Sequence, residues 1–137
     1  MEENNAVITI VSVQDEDEEI EVVTTGKFYE EDGYYYAVYE ETEASGMEGT
    51  VTTLKINGEG FSLMREGTIT TTMNFKRNNE EDVLYSTPHG GLCLKLRTRE
   101  VKTNVDENGG DINVEYDMIV GGQQHITTVL RGNIKIK

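Results

Sequence analysis

Turn residues interrupt this chain at short intervals, and the segments between them are rich in Val, Ile, Thr and Tyr. Asp32-Gly33, Asn57-Gly58, Asn78-Asn79, the Thr87-Pro88-His89-Gly90 stretch and Asn108-Gly109-Gly110 each separate two such runs, and Gly121-Gly122 opens the last one. Asp-Gly and Asn-Gly suit tight hairpins because both residues tolerate the positive φ that a twisted strand pair requires. Turn signals recur about every 8–15 residues, with no amphipathic helical period between them, so the spacing predicts roughly ten strands. They fall at 7–13, 20–25, 34–43, 50–56, 61–65, 68–75, 83–87, 92–104, 112–120 and 126–137.

Each predicted strand is joined to the next locally, which makes the chain a meander. A long meander leaves two bare edges, and bare edges invite pairing with other chains unless the sheet closes. Pairing the final strand with the first closes it, giving an all-β, antiparallel up-and-down β-barrel of roughly 8–10 strands. A β-sandwich would need longer crossing connections than this sequence holds. Gly26 breaks the alternation of its strand and reads as a bulge. Pro88 sits in a turn, where its missing N–H costs nothing. The acidic run Asp15–Glu19 reads as a solvated turn, since it lacks the glycine and the spaced ligands of a calcium loop.

At 137 residues the chain is read as a single domain, 1–137, large enough for a self-sufficient core. Its formal charge of -14, from 26 acidic and 12 basic residues, opposes polyanions, so neither nucleic acid nor an anionic membrane is an expected partner. The same field would attract a basic protein. The first residues, Met1 to Asn5, have no apolar run of the kind a signal peptide carries, and no segment approaches the roughly 20 apolar residues that span a bilayer. Cys93 is the single cysteine, which excludes an intrachain disulfide and fits a reducing cytoplasm.

Side chains alternate faces along a strand, so the apolar phase marks the interior. That phase selects Leu92, Leu94 and Leu96; Ile112, Val114, Tyr116, Met118 and Val120; Ile126, Leu130, Ile134 and Ile136; Ile69, Met73 and Phe75; Phe61 and Leu63; and Leu54 and Ile56. Continuing these phases brings Arg65, Thr52, Thr71, Thr98 and Thr128 inward as well. An inward guanidinium needs a partner, because an isolated buried charge costs several kcal/mol or more. Two carboxylates compete for that place: Glu41, in phase with Tyr35 and Tyr39, and Glu40, in phase with Tyr36 and Val38. The Tyr34–Glu43 run is aromatic on both faces, and either phase fits it.

The order Tyr36-x-x-Tyr39-Glu40-Glu41, Thr52-Thr53-Leu54-Lys55-Ile56, Arg65-x-Gly67, Tyr85-x-Thr87-Pro88-x-Gly90, Thr98 and Tyr116 resembles the YwiB-like family of small bacterial proteins, from about Val7 to Ile136. No single motif carries the match; order and spacing together do. The resemblance implies a lipocalin-like (calycin) barrel in the cytoplasm and supplies no catalytic residues. Such folds often hold small apolar or amphipathic ligands, although fold alone does not give function.

The chain offers little to chemistry at a reacting centre. His89 and Cys93 have no matching second pair, His125 stands alone, and Cys93 has an outward phase, so no metal, cofactor or catalytic group is expected. The glycine pairs precede no helix and are not phosphate loops. Two functions remain. In one, the barrel binds a small amphipathic or anionic molecule near Arg65, with Tyr39, Glu41, Tyr85, Thr98 and Tyr116 around it. In the other, the interior is filled, these residues form an internal hydrogen-bond network, and the protein acts as an interaction module through its acidic surface or as a homodimer. The filled interior is the simpler expectation for a small barrel.

Overall fold

The computed structural model describes residues 4–15, 18–121 and 124–137. Parts of the Asp15–Glu19 turn and of the Gly121-Gly122 turn lie outside these residues. Ten strands are present: β1 (Ala6–Gln14), β2 (Ile20–Glu31), β3 (Tyr34–Glu40), β4 (Thr50–Asn57), β5 (Gly60–Gly67), β6 (Thr71–Lys76), β7 (Glu80–Thr87), β8 (Gly90–Asp106), β9 (Gly109–Val120) and β10 (Gln124–Ile136). A 3-10 turn, Glu43–Ser45, follows β3.

All ten belong to one sheet in the order β6-β5-β4-β3-β2-β1-β10-β9-β8-β7, and every ladder is antiparallel. The expected pairing of the last strand with the first is there, running from Ala6 opposite Ile136 to Gln14 opposite Thr128. Where the sequence predicts a plain hairpin, between β6 and β7, the structure differs. These two strands share no ladder; a lone bridge joins Thr70 to Ser86 through backbone bonds of 3.0 and 2.9 Å. Further along the same seam, the Thr71 hydroxyl donates to the Leu84 carbonyl at 2.9 Å. The Glu81 carboxylate accepts from the Asn74 backbone N–H at 3.1 Å, and Asn79 Nδ2 donates to the Asn74 carbonyl at 3.0 Å. Side chains thus supply donors and acceptors that a ladder partner would otherwise provide.

The hairpin turns follow the sequence in kind and depart from it in register. Asp32 and Gly33 both take positive φ, 54° and 86°, as an Asp-Gly hairpin requires. The Asn57 turn is displaced by one residue: the Asn57 carboxamide oxygen accepts from Glu59 N and Gly60 N, so the chain reverses at Gly58-Glu59. Gly109 and Gly110 belong to β9 rather than to the turn, and a Cβ on either would run into the backbone carbonyl of Ile134 or Asn104. Gly26 is no bulge. It is the residue at which β2 ends its pairing with β1, before pairing with β3 begins at Lys27, and its bare Cα lets the Val38 carbonyl and Ile8 approach. The irregularity in this half of the barrel lies instead in β8, between Thr98 and Glu100.

One end of the barrel is packed solid. Ala6, Ile8, Phe28, Ala37, Leu54, Ile56, Leu96, Ile112, Val114 and Ile134 are buried there, around the tilted rings of Phe61 and Phe75 with centroids 5.0 Å apart. The Tyr34–Glu43 ambiguity is resolved by this core: Ala37 and Tyr39 are buried, while Tyr36 stacks outside on Tyr29 and Lys55 lies over the Tyr34 ring. Two predicted core positions sit further out than expected. Leu92 is 49% exposed and Ile136 36%, because each lies at a strand end where the wall of the barrel stops.

Candidate functional site

The other end of the barrel is hollow. A cavity of about 390 Å³ lies between the side chains of β1, β2, β3, β5 to β10 and the segment after β3. The filled interior expected of a small barrel therefore holds at one end and not at the other. Met73, Leu94 and Leu130 form apolar wall, and Tyr116, whose ring packs 4.7 Å from that of Phe75, joins the cavity to the solid core.

The polar side is assembled from β3, β4 and β5. Tyr39 ends the inward row of β3, and Glu41 follows in the same phase, its backbone N–H held by the Thr50 carbonyl at 2.8 Å. Thr52 pairs with Tyr39 on one side and with Arg65 on the other, which puts the three side chains at one level of the wall. Arg65 is the last inward residue of β5 before Gly67. The Thr52 hydroxyl donates to Glu41 Oε2, and Arg65 Nε stands 3.9 Å from the same oxygen, with side-chain exposures of 12% for Arg65 and 2% for Glu41. Of the two carboxylates that could face Arg65, the structure selects Glu41; Glu40 is exposed.

The Arg65–Glu41 pair is not closed. A guanidinium carries five N–H donors in a rigid fork, yet the Arg65 Nε is fully buried with no hydrogen-bond partner, Glu41 standing too far off to accept from it. A buried donor left unsatisfied is costly, and beside a cavity a bound molecule is one way to satisfy it. The surrounding phenols are held protonated: burial and then the Glu41 charge push Tyr39 well above the usual phenol range, and burial raises Tyr116 despite the opposing Arg65 charge. Both therefore remain hydroxyl donors at neutral pH.

After Glu41 the chain turns back across the opening. Thr42 caps the 3-10 turn by accepting from Ala44 N, Gly46 takes φ 77°, and Ser45 and Met47 face the cavity. The rim on the other side is apolar, with Ile20 48% and Leu92 49% exposed and Val120 and Ile126 beside them.

Of the residues singled out from the sequence, Tyr39, Glu41, Arg65, Tyr85 and Tyr116 line this one cavity. Thr98 does not. It is buried opposite Tyr116 in the β8–β9 ladder, and its hydroxyl has no partner. Ser12, Gln14, Ser45 and Met47 were not expected. The unbroken β-branched run of β1 hides the phase that would have exposed Ser12 and Gln14, and the segment holding Ser45 and Met47 has no strand period to read. Among the described residues no group of three or more His, Cys, Asp or Glu side chains is placed to hold a metal, and no helix is long and apolar enough to cross a membrane.

A family model described as "Domain of unknown function (DUF1934)" matches residues 6–131. The chain is similar to the "Uncharacterized beta-barrel protein YwiB" of Bacillus subtilis (strain 168), with 29% identity over 126 residues, 90% of this chain and 87% of that protein. It is also similar to the crystal structure of the ywiB protein from Bacillus subtilis, with a TM-score of 0.85 and 26% identity over 98% of this chain and 92% of that one. The family resemblance read from motif order and the antiparallel barrel are both borne out.

Proposed function

The chain belongs to the family described as a domain of unknown function (DUF1934), and from that premise we propose that its barrel binds a small amphipathic or anionic molecule at Arg65. The observation that carries this reading is the buried Arg65 Nε, which lacks a hydrogen-bond partner, in the wall of a cavity of about 390 Å³. Small-molecule sites combine apolar walls with a few fixed polar groups, and this cavity has that composition. Met73, Leu94, Leu130 and Met118 supply the apolar wall; Arg65, Glu41 and the tyrosine hydroxyls supply the polar points. The up-and-down strand order supports the lipocalin-like affinity expected from the sequence. The lone, exposed Cys93 supports a reducing cytoplasm as its setting.

The test is native mass spectrometry of protein purified from a bacterial host, followed by titration with any retained molecule. The expected outcome is an adduct that survives purification and whose affinity falls at least tenfold in Arg65→Ala. Unchanged affinity would remove Arg65 from the site. Recovery of the bare chain alone, with no adduct regained from a host metabolite extract, would set the binding reading aside.

A second reading rests on the outer face of the segment after β3. A groove of about 610 Å³ there is lined by Glu40, Glu43 and Glu48 with Lys27 among them, which suits a basic protein partner. A homodimer is the other form of this reading, and the same mass spectra distinguish the two by the mass of what accompanies the chain.

A further inference from the structure

Resting on the binding reading above, we infer that the molecule bound in the barrel carries a net-neutral head with an acceptor beside a donor, attached to an apolar body, and is not a simple anion. Arg65 and Glu41 are the only charged side chains among the described residues lining the cavity, and their charges cancel. They stand side by side with 3.9 Å between Nε and Oε2. An incoming carboxylate would meet Arg65 and Glu41 together, so the attraction of one is offset by the repulsion of the other. It would also surrender its hydration inside a cavity that offers it no second cation. Its arrival would leave an uncompensated negative charge inside a protein whose formal charge is already -14.

A head that offers both functions meets the pair without these costs. Its carbonyl or carboxylate oxygen takes the unspent Arg65 donors, and its N–H groups donate to the Glu41 carboxylate, which among its acceptor positions has committed Oε2 to Thr52. Hydrogen bonds to ionised partners are the stronger kind, and both would form here. A primary carboxamide has this pattern, and so does an α-amino acid zwitterion. The exposed rim positions Ile20 and Leu92 are apolar while the charged pair is buried, so the head lies inside and the apolar body runs toward the opening.

Three ten-carbon probes that differ in the head separate these possibilities: decanamide, 2-aminodecanoic acid and decanoate, each titrated at pH 7 by calorimetry and by amide shifts of Tyr39 and Arg65. The expected result is that at least one net-neutral probe binds tenfold or more tighter than decanoate, and which of the two does so separates amide from zwitterion. Glu41→Gln leaves Arg65 as the single charge and keeps an acceptor for Thr52, so the order should reverse in favour of decanoate. The wild-type ranking tests the inference even if Glu41→Gln fails to fold. Decanoate binding as tightly as the neutral probes, or tighter, overturns the inference and leaves the cavity a binding site. Failure of all three probes to bind, with no adduct in the native spectra, overturns the inference together with the reading beneath it.

Discussion

At the scale of single residues, the two most buried charges among the described residues are held in opposite ways. Glu41 faces one guanidinium at a distance too long for a hydrogen bond, so removing Arg65 strands a carboxylate that is 2% exposed. Arg65→Met is expected to lower stability by about 3 kcal/mol, whereas Arg65→Met combined with Glu41→Met restores it to within about 1 kcal/mol of the parent. Urea denaturation of the three variants checks this, and equal losses in single and double variants would contradict it. Asp117, on the outer face of β9, is fully buried beneath its partners: Arg97 Nη2 donates at 2.7 Å, Arg99 Nε at 2.9 Å and Thr127 Oγ1 at 2.7 Å. Burial alone would raise its pKa, but the hydrogen bonds from Arg97, Thr127 and Arg99, with the Arg99 charge, outweigh it and hold the carboxyl at about 2. Because the folded value lies below the unfolded one, this contribution is complete above about pH 4 and is lost as the pH falls toward 2, an effect on the order of 2 kcal/mol. Asp117→Asn should cost a similar amount at pH 7 and flatten the acid limb of the stability curve; an unchanged acid limb would count against it. No sequence rule pointed to Asp117, since an acid on an outward phase reads as solvated until the two arginines of the neighbouring strand are placed over it.

At the scale of the elements, the strands were legible, and so were their pairings, with one exception at the β6–β7 joint. Turn chemistry and alternation located each strand, because glycine, asparagine and aspartate act locally. Alternation also selected Arg65 as inward, from Phe61 and Leu63 before it. It could not decide between Glu40 and Glu41, because a run of aromatic residues fits either phase and only the cross-strand partners Leu54 and Thr52 fix it. Nor could it foresee the seam between β6 and β7, where a local hairpin gives way to side-chain bonds from Asn74, Asn79 and Glu81. Glu81→Ala should loosen this seam first. The Asn74 amide is expected to exchange with solvent about fivefold faster, the equivalent of about 1 kcal/mol, while amides in the β1–β10 ladder stay unchanged. Hydrogen exchange read by NMR resolves the two sites, and uniform acceleration across the sheet would mean that the seam opens only with the whole fold.

At the scale of the whole molecule, the barrel closes through its ends. The first strand pairs with the last, and Lys137 N donates to the Asn5 carbonyl at 3.0 Å, while the joint without a ladder falls between two strands that are neighbours in sequence. The consequence concerns the route by which the chain folds. In the native order, the β1–β10 ladder must bring together residues as far apart as Ala6 and Ile136 before it gains anything, and the entropy of closing so long a loop slows the search. A circular permutant with its original ends linked and new ends between Arg77 and Asn78 would run β7 through β10 and then β1 through β6. Every ladder of the sheet would then join consecutive strands. Such a chain should refold roughly tenfold faster in a stopped-flow experiment, since folding rate follows contact order, with the same cavity at its end. A permutant that refolds no faster would show that closing the ring is not the slow step.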